Sequence, residues 1–117
     1  MRFQAGTAEI ITNLRVIARL WRIIGEEDEM ERVMKRALDA AEGNAEHLAD
    51  VADSWACFGE YRKAIEIARA ALELQSDQAH ALLVLGTSLL EIGELEEGIP
   101  ALYESAMAQP EEVETHL

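Results

Sequence analysis

The sequence predicts an all-α fold, an α-solenoid of three antiparallel helix hairpins, and two observations predict it. Glycines stand 34 residues apart at Gly25, Gly59 and Gly93, which indicates an internal repeat with that period. The same shift superposes three sets of residues, mostly apolar, whose spacing places each set on one face of a helix. These sets are Leu14, Ile17, Ala18 and Trp21; Leu48, Val51, Ala52 and Trp55; and Leu82, Leu85, Gly86 and Leu89. A chain of 117 residues has room for a single domain.

Each hairpin is expected to consist of two helices separated by one of these three glycines. A glycine at the end of a helix adopts the left-handed conformation that closes the last turn, so the glycines are predicted to end the first helices. Asn44 and Asp77 stand where they can cap the first helices of hairpins two and three. Gly98 and Pro100 fall within the last helix, and because proline removes a backbone donor, a kink or a late start is expected there.

The repeat resembles the tetratricopeptide repeat, whose pattern is W-x2-L-G-x2-Y, later A-x3-F and later P. The third copy reads Leu82-x2-Leu85-Gly86-x2-Leu89, then Gly98-x3-Leu102, then Pro110. The resemblance covers about residues 11–110. It divides the chain into repeats at about 11–44, 45–78 and 79–112, followed by a short tail, 111–117, as the C-terminal cap.

This resemblance implies that the first helices of the three hairpins line a concave groove that binds a protein or peptide. The predicted partner-binding residues are Arg15, Arg19, Arg22, Ala49, Asp53, His80, Leu83, Thr87 and Leu90, with Thr12, Glu46 and Ala56 beside them.

The three arginines of the first helix, Arg15, Arg19 and Arg22, are spaced i, i+4 and i+7, so they share one helix face. Two interpretations of this cationic stripe stay open: it pairs with acids of the second repeat, or it binds an acidic ligand. The candidate acids are Glu46, Asp50 and Asp53. Leu83 and Leu90 are expected on the solvent side of the groove, where either a partner's apolar side chains, the C-terminal tail or a second subunit covers them.

The groove departs from the two-carboxylate clamp with which members of this family hold chaperone C-terminal peptides. That clamp needs lysine, asparagine and arginine at fixed positions. Arg15 matches one basic position, but Arg19 and Asp50 replace the asparagines, and His80 and Val84 replace the later basic pair. The sequence therefore argues against an acidic-tail clamp.

The charge balance excludes some classes of partner. Ten basic residues against 23 acidic ones give a formal charge of −13, which repels nucleic-acid backbones and anionic lipid surfaces. All ten basic residues lie at or before Arg69, so the acids of residues 70–117 have no basic neighbour in that segment. The single cysteine, Cys57, cannot form an internal disulfide, and Arg19 interrupts the apolar stretch near the start, so a cytoplasmic location is expected.

No pattern of catalytic or metal-binding residues is found. His47, His80 and His116 fall in different repeats, and neither a phosphate-binding glycine loop nor a nucleophile elbow occurs. The sequence predicts that the chain is not an enzyme and carries no cofactor. Cys57 is expected to be a packed, inert thiol.

The predicted function is protein–protein interaction, by a small acidic chaperone or adaptor. In size, charge and architecture the chain also looks like the small tetratricopeptide chaperones of bacterial type III secretion. Three alternatives stay open: a general scaffold, a self-assembling oligomer such as a homodimer, or a membrane-surface protein. The last rests on a second apolar stripe of the first helix, formed by Val16, Leu20 and Ile23.

Overall fold

The structure is a computed structural model that describes residues 6–108, and over these residues the chain forms six α-helices and no strand. The helices are α1 Thr7–Ile24, α2 Glu27–Ala41, α3 Ala45–Cys57, α4 Tyr61–Leu74, α5 Ala79–Glu91 and α6 Leu95–Met107. The predicted all-α fold is confirmed. The expected C-terminal cap, 111–117, and the end of the third repeat lie outside the described residues.

The helices pair in sequence order into three hairpins, α1 with α2, α3 with α4 and α5 with α6. Neighbouring hairpins pack through α2 on α3 and α4 on α5, and the first helices also contact one another, α1 with α3 and α3 with α5. Over the described residues the second helices α2, α4 and α6 lie farther apart, and α4 meets α6 through side chains, as in the ion pair of Arg69 with Glu97 at 2.7 Å. The array therefore curves, with the first helices on the inner, concave side.

The predicted glycine caps are confirmed. Gly25, Gly59 and Gly93 have φ of 98°, 82° and 88°, in the left-handed region where a side chain would be strained. Asn44 caps α3, because its Oδ1 accepts a hydrogen bond from the backbone N–H of His47 at 2.9 Å.

Two local expectations about α5 and α6 are wrong. Gln78, not Asp77, caps α5: the helix begins at Ala79, so Gln78 is the residue before its first turn, and its Oε1 accepts a hydrogen bond from the backbone N–H of Ala81 at 2.7 Å. Of the kink or late start expected at Gly98 and Pro100, the late start is wrong, because α6 begins at Leu95 and contains Pro100. Proline removes only its own N–H, so the turns on either side keep their hydrogen bonds.

The core is formed where small residues let the two helices of a hairpin approach closely. Ala18 and Ala52 are fully buried at these crossings. In the third hairpin both partners are glycine: a Cβ built on Gly86 would lie 3.1 Å from the carbonyl oxygen of Gly98. Larger side chains, among them Met34 and Trp55, fill the space between the crossings.

Another property of the helices is their length and polarity, compared with those of a membrane-spanning segment. None of the helices within residues 6–108 combines the length and the apolar character that crossing a bilayer requires.

Candidate binding groove

The concave face carries side chains from α1, α3 and α5, and a network of charged groups joins the three helices at its centre. In the network, Arg15 of α1 donates through Nε to Ser54 Oγ of α3 at 2.6 Å. Its two terminal nitrogens lie 3.9 Å from Oδ1 of Asp50 and Oδ2 of Asp53. The pairing interpretation of the cationic stripe therefore describes Arg15, whose charge is balanced within the chain.

His80 of α5 completes this network from the opposite side. Its Nδ1 lies 3.4 Å from Asp50 Oδ1, and its Nε2 lies 3.5 Å from Asp53 Oδ2. Because both ring nitrogens face carboxylate oxygens, only the protonated imidazolium can donate to both. Hydrogen bonding to Asp53 and the negative charges of both carboxylates raise the pKa of His80, against the opposing effects of burial and of Arg15. The same contact with His80, helped by Arg15, lowers the pKa of Asp53 despite its partial burial.

The other two arginines of the stripe are placed differently from Arg15. Arg22 lies 3.7 Å from a carboxylate oxygen of Glu27 and 5.3 Å from the ring centre of Phe58, over its face. Arg19 is exposed and forms no ion pair with any residue between 6 and 108. Two arginines of the stripe, Arg15 and Arg22, therefore contact acids of the chain, whereas Arg19 is exposed to a ligand.

Two residues predicted to line the groove face into the array. Ala49 is fully buried, because α3 lies between α1 and α5 and both helices pack against it. Leu90 is half-buried, and its Cδ2 would lie 2.9 Å from a Cβ placed on Gly98 of α6. Since Gly98 has no side chain, Leu90 fills the space beside it. Neither residue is the open contact that was predicted.

Leu83 and Thr87 of α5 are the exposed part of the groove at its C-terminal end. Leu83 is 44% exposed. The hydroxyl of Thr87 donates to the backbone carbonyl of Leu83 at 2.9 Å, so it presents its methyl group and oxygen lone pairs beside the leucine. The groove therefore has a cation at one end, a mixed-charge centre and a small apolar surface at the other end.

Sequence reasoning missed Ser54 and expected the wrong environment for Cys57. Ser54 lies one residue before the tryptophan of the packing stripe, where the stripe itself gave no reason to expect a polar contact. Cys57 is exposed rather than packed, with its Sγ 4.0 Å from Asp53 Oδ1. Its position outside the i, i+3, i+4, i+7 spacing of the stripe was the available signal.

The charged centre contains one histidine and two aspartates, but they are not arranged as metal ligands. Among residues 6–108 no group of three or more His, Cys, Asp or Glu side chains is arranged to hold a metal ion. The Arg15 guanidinium lies where a metal's charge would otherwise balance Asp50 and Asp53.

A second depression lies on the outer side of the array, between α2 and α4. Its volume is about 730 Å³; Met34, Leu38, Trp55 and Ile67 form its apolar lining, and its rim is charged. It opens here because the second helices diverge as the array curves.

The fold is shared with solved structures of very different sequence. The second TPR domain of Spaghetti (RPAP3), bound to the HSP90 peptide SRMEEVD, superposes with a TM-score of 0.65 over 87% of this chain and 89% of that one, at 18% sequence identity. The chain has the tetratricopeptide-repeat fold. MamA MSR-1 C2 is also similar, with a TM-score of 0.62 and 16% identity over 84% of this chain and 56% of that one. No family model and no curated protein sequence matches the chain.

Proposed function

We propose that this tetratricopeptide-repeat chain is a protein–protein interaction module whose concave groove holds an extended segment of a partner protein. The observation that carries the proposal is the row of side chains from three adjacent first helices, with Arg19 exposed at one end and Leu83 at the other. A structural neighbour with the same fold is bound to a peptide, which supports this class of ligand.

The ends of the groove define the chemistry of the partner segment. A carboxylate on the segment pairs with Arg19, which can hold it with two hydrogen bonds. An apolar side chain packs on Leu83 and the methyl group of Thr87, gaining affinity from burial. The central network between these ends keeps the first helices in register and gives the segment few charges to satisfy.

The segment we propose is not a two-carboxylate tail. Asp50 places a carboxylate at the centre of the groove, where a second ligand carboxylate would be repelled. Val84 is buried and supplies no charge. The cationic Arg15 and His80 already pair with Asp50 and Asp53.

Within this function we propose the role of a small chaperone or adaptor, acting in the cytoplasm. The three repeats, the formal charge of −13 and the looser resemblance to chaperones of type III secretion support a client with an apolar segment that needs protection before export. A general scaffold uses the same groove and differs only in the fate of the bound partner.

The test uses fluorescein-labelled decapeptides with two glutamates at one end and two leucines at the other. The full chain is titrated into each peptide, and the rise in fluorescence anisotropy measures binding. We expect Arg19→Glu to weaken binding several-fold at low salt and little at high salt, because an exposed charge pair is screened. Leu83→Asp is expected to weaken binding at every salt concentration.

Two matched variants serve as controls. Arg36→Glu reverses a charge on α2, and Leu74→Asp changes an exposed leucine at the end of α4, both away from the groove. Neither is expected to change the anisotropy. If Arg19→Glu and Leu83→Asp fold and bind like the parent, the concave groove is not the binding site.

A further inference from the structure

One face of α1, which includes Ile17 and Ile24, is apolar and more exposed than the equivalent faces of α3 and α5. Ile17 of α1 is 41% exposed, whereas its equivalents one and two repeats later, Val51 and Leu85, are 0% and 7% exposed. At the end of the same face Ile24 is 66% exposed, and its equivalent Phe58 is 7% exposed. The repeat therefore places core residues on α1 at positions where a neighbouring helix is required.

The covering helix can be identified from the interface between hairpins two and three. There α4 lies over α5: Leu72 borders a cavity with Leu82 and Leu85, and Ile65 borders another with Leu89 and Ile92. A second helix of a hairpin thus covers the apolar face of the next first helix through two residues spaced i and i+7. The face of α1 is shaped for the same kind of partner.

A helix of this kind, with a partly exposed apolar face, lies at the other end of the described residues: it is α6. The residues of α6 equivalent to Ile65 and Leu72 are Ile99 and Ala106. Ile99 is 47% exposed although Ile65 is 7% exposed, and Ala106 is exposed too. Among the described residues, the first and last helices therefore carry complementary halves of the interface that joins hairpins two and three.

Charge favours the same pairing. Arg15 and Arg22 of α1 pair within the chain, and Glu97 of α6 pairs with Arg69 of α4 at 2.7 Å. Among the described residues this leaves Arg19 on α1 without an ion pair, and likewise the acids Glu94, Glu96 and Glu104 on or beside α6, which carries no base. Arg19 lies on the groove face of α1, so these opposite charges act by steering two copies together rather than by direct contact, and they disfavour the pairing of α6 with α6.

We infer that the chain associates head to tail with a second copy of itself, with α6 of one copy over α1 of the next. Ile99 of one copy then packs at Trp21 and Ile24 of the other, and Ala106 lies at Leu14 and Ile17. The contact is heterologous, so it continues into short filaments or closes into a ring. Because the interface lies at the ends of the array, the groove stays open in every copy, and this inference does not depend on the proposed peptide binding.

The decisive experiment combines one variant from each end. In sedimentation velocity we expect the parent chain to form species larger than a dimer as its concentration rises, and to shift towards monomer at high salt. Ile24→Asp and Ile99→Asp are each expected to abolish these species. Mixed in equal amounts, the two variants still have one intact α6 face and one intact α1 face, so a heterodimer and nothing larger is expected.

Exposed positions outside the two faces provide matched controls. Val16→Asp, on the neighbouring stripe of α1, and Leu74→Asp, on α4, are expected to assemble like the parent, and circular dichroism establishes that all variants keep their helices. A parent that is monomeric at every concentration overturns the inference. An Ile99→Asp variant that assembles normally also overturns it, because that result would indicate a dimer of α1 with α1. A third contrary result is that only Val16→Asp abolishes assembly and that the parent chain instead binds anionic vesicles.

Discussion

The Nε2 atom of His80 lies 3.5 Å from Oδ2 of Asp53, across the contact between α5 and α3. This pair connects the second and third hairpins on the concave face, and Arg15 joins the first hairpin to the same aspartate. One carboxylate group therefore contacts cations from both neighbouring repeats, which makes the packing of the array sensitive to pH.

We expect the contribution of His80 to stability to be greatest in mildly acidic solution. The pKa of His80 is raised above its ordinary value of 6.5, so its stabilising effect is complete below that value and is lost as the pH rises through the higher, folded-state pKa. The pKa of Asp53 is lowered from 3.8, so its effect is present above that value and is lost as the pH falls through the folded-state pKa. Both contributions are present together between these two ordinary values.

Urea unfolding of the parent and of His80→Gln across this pH range measures the effect. The difference in unfolding free energy is expected to be largest between the two ordinary values and to shrink in alkaline solution. His47→Gln is the control, since it removes a half-buried histidine of α3 that has no such carboxylate pair among the described residues. A difference for His80→Gln that does not vary with pH would show that the imidazole stays neutral.

Two serines at equivalent positions predict opposite results from the same substitution. Ser54 accepts a hydrogen bond from Arg15, whereas Ser88, one repeat later, is buried and its Oγ has no partner among the described residues. The cause is that Ala49 stands where a second Arg15 would be needed. Ser54→Ala should lower the unfolding free energy by about 1–2 kcal/mol, because it removes a hydrogen bond to a charged group.

Ser88→Ala is expected to leave stability unchanged or to raise it, because it removes an unsatisfied buried hydroxyl. Thermal unfolding of the two variants side by side gives the comparison. Equal losses in both variants would mean that Ser88 has a hydrogen-bond partner.

The fold was predictable because three repeats report the same pattern independently. The 34-residue spacing of Gly25, Gly59 and Gly93 fixes where each first helix ends, and the apolar stripes fix which face is buried. The repeat period did not predict which residue caps each helix. Gln78 rather than Asp77 caps α5, because the helix begins at Ala79, one residue later than a cap at Asp77 would require.

The site was predictable in outline only. Helical spacing placed Arg15, Arg19 and Arg22 on one face, but which of them pairs within the chain depends on where Asp50 and Asp53 lie across the contact between two repeats. The spacing of residues along the sequence does not give the distance between side chains of two different repeats. Leu90 was misjudged for a similar reason, because the space it fills exists only where Gly98 approaches it.

The approach of Gly86 to α6 predicts that even one added methyl group is costly. A Cβ at Gly86 would lie 2.7 Å from Leu102 Cδ2 and 3.1 Å from the carbonyl oxygen of Gly98. Gly86→Ala should therefore destabilise the chain by about 1–2 kcal/mol, since overpacking outweighs the better helix propensity of alanine.

Chemical denaturation of a double variant tests this cause. Leu102 is equivalent to Ala68 in the second hairpin, where Ala52 occupies the position of Gly86. Gly86→Ala combined with Leu102→Ala should lose clearly less stability than the sum of the two single changes, because the added methyl group fills part of the cavity. Strict additivity would place the strain elsewhere.

The middle hairpin should depend most strongly on Trp55. Its side chain is buried, meets Phe58 edge to face with the ring centres 6.0 Å apart, and has the Lys63 ammonium 5.0 Å from its ring centre. It also forms part of the apolar lining of the outer cavity between α2 and α4, so its removal enlarges a space that is already open. Trp55→Ala should cost about 3–5 kcal/mol, a large fraction of the stability of a domain this size.

Trp21 is the matched comparison, because it occupies the equivalent position in α1 but is only half-buried. In dilute solution Trp21→Ala should therefore lower the unfolding free energy by a smaller amount than Trp55→Ala does, and equal losses would contradict the difference in burial between the first and second hairpins.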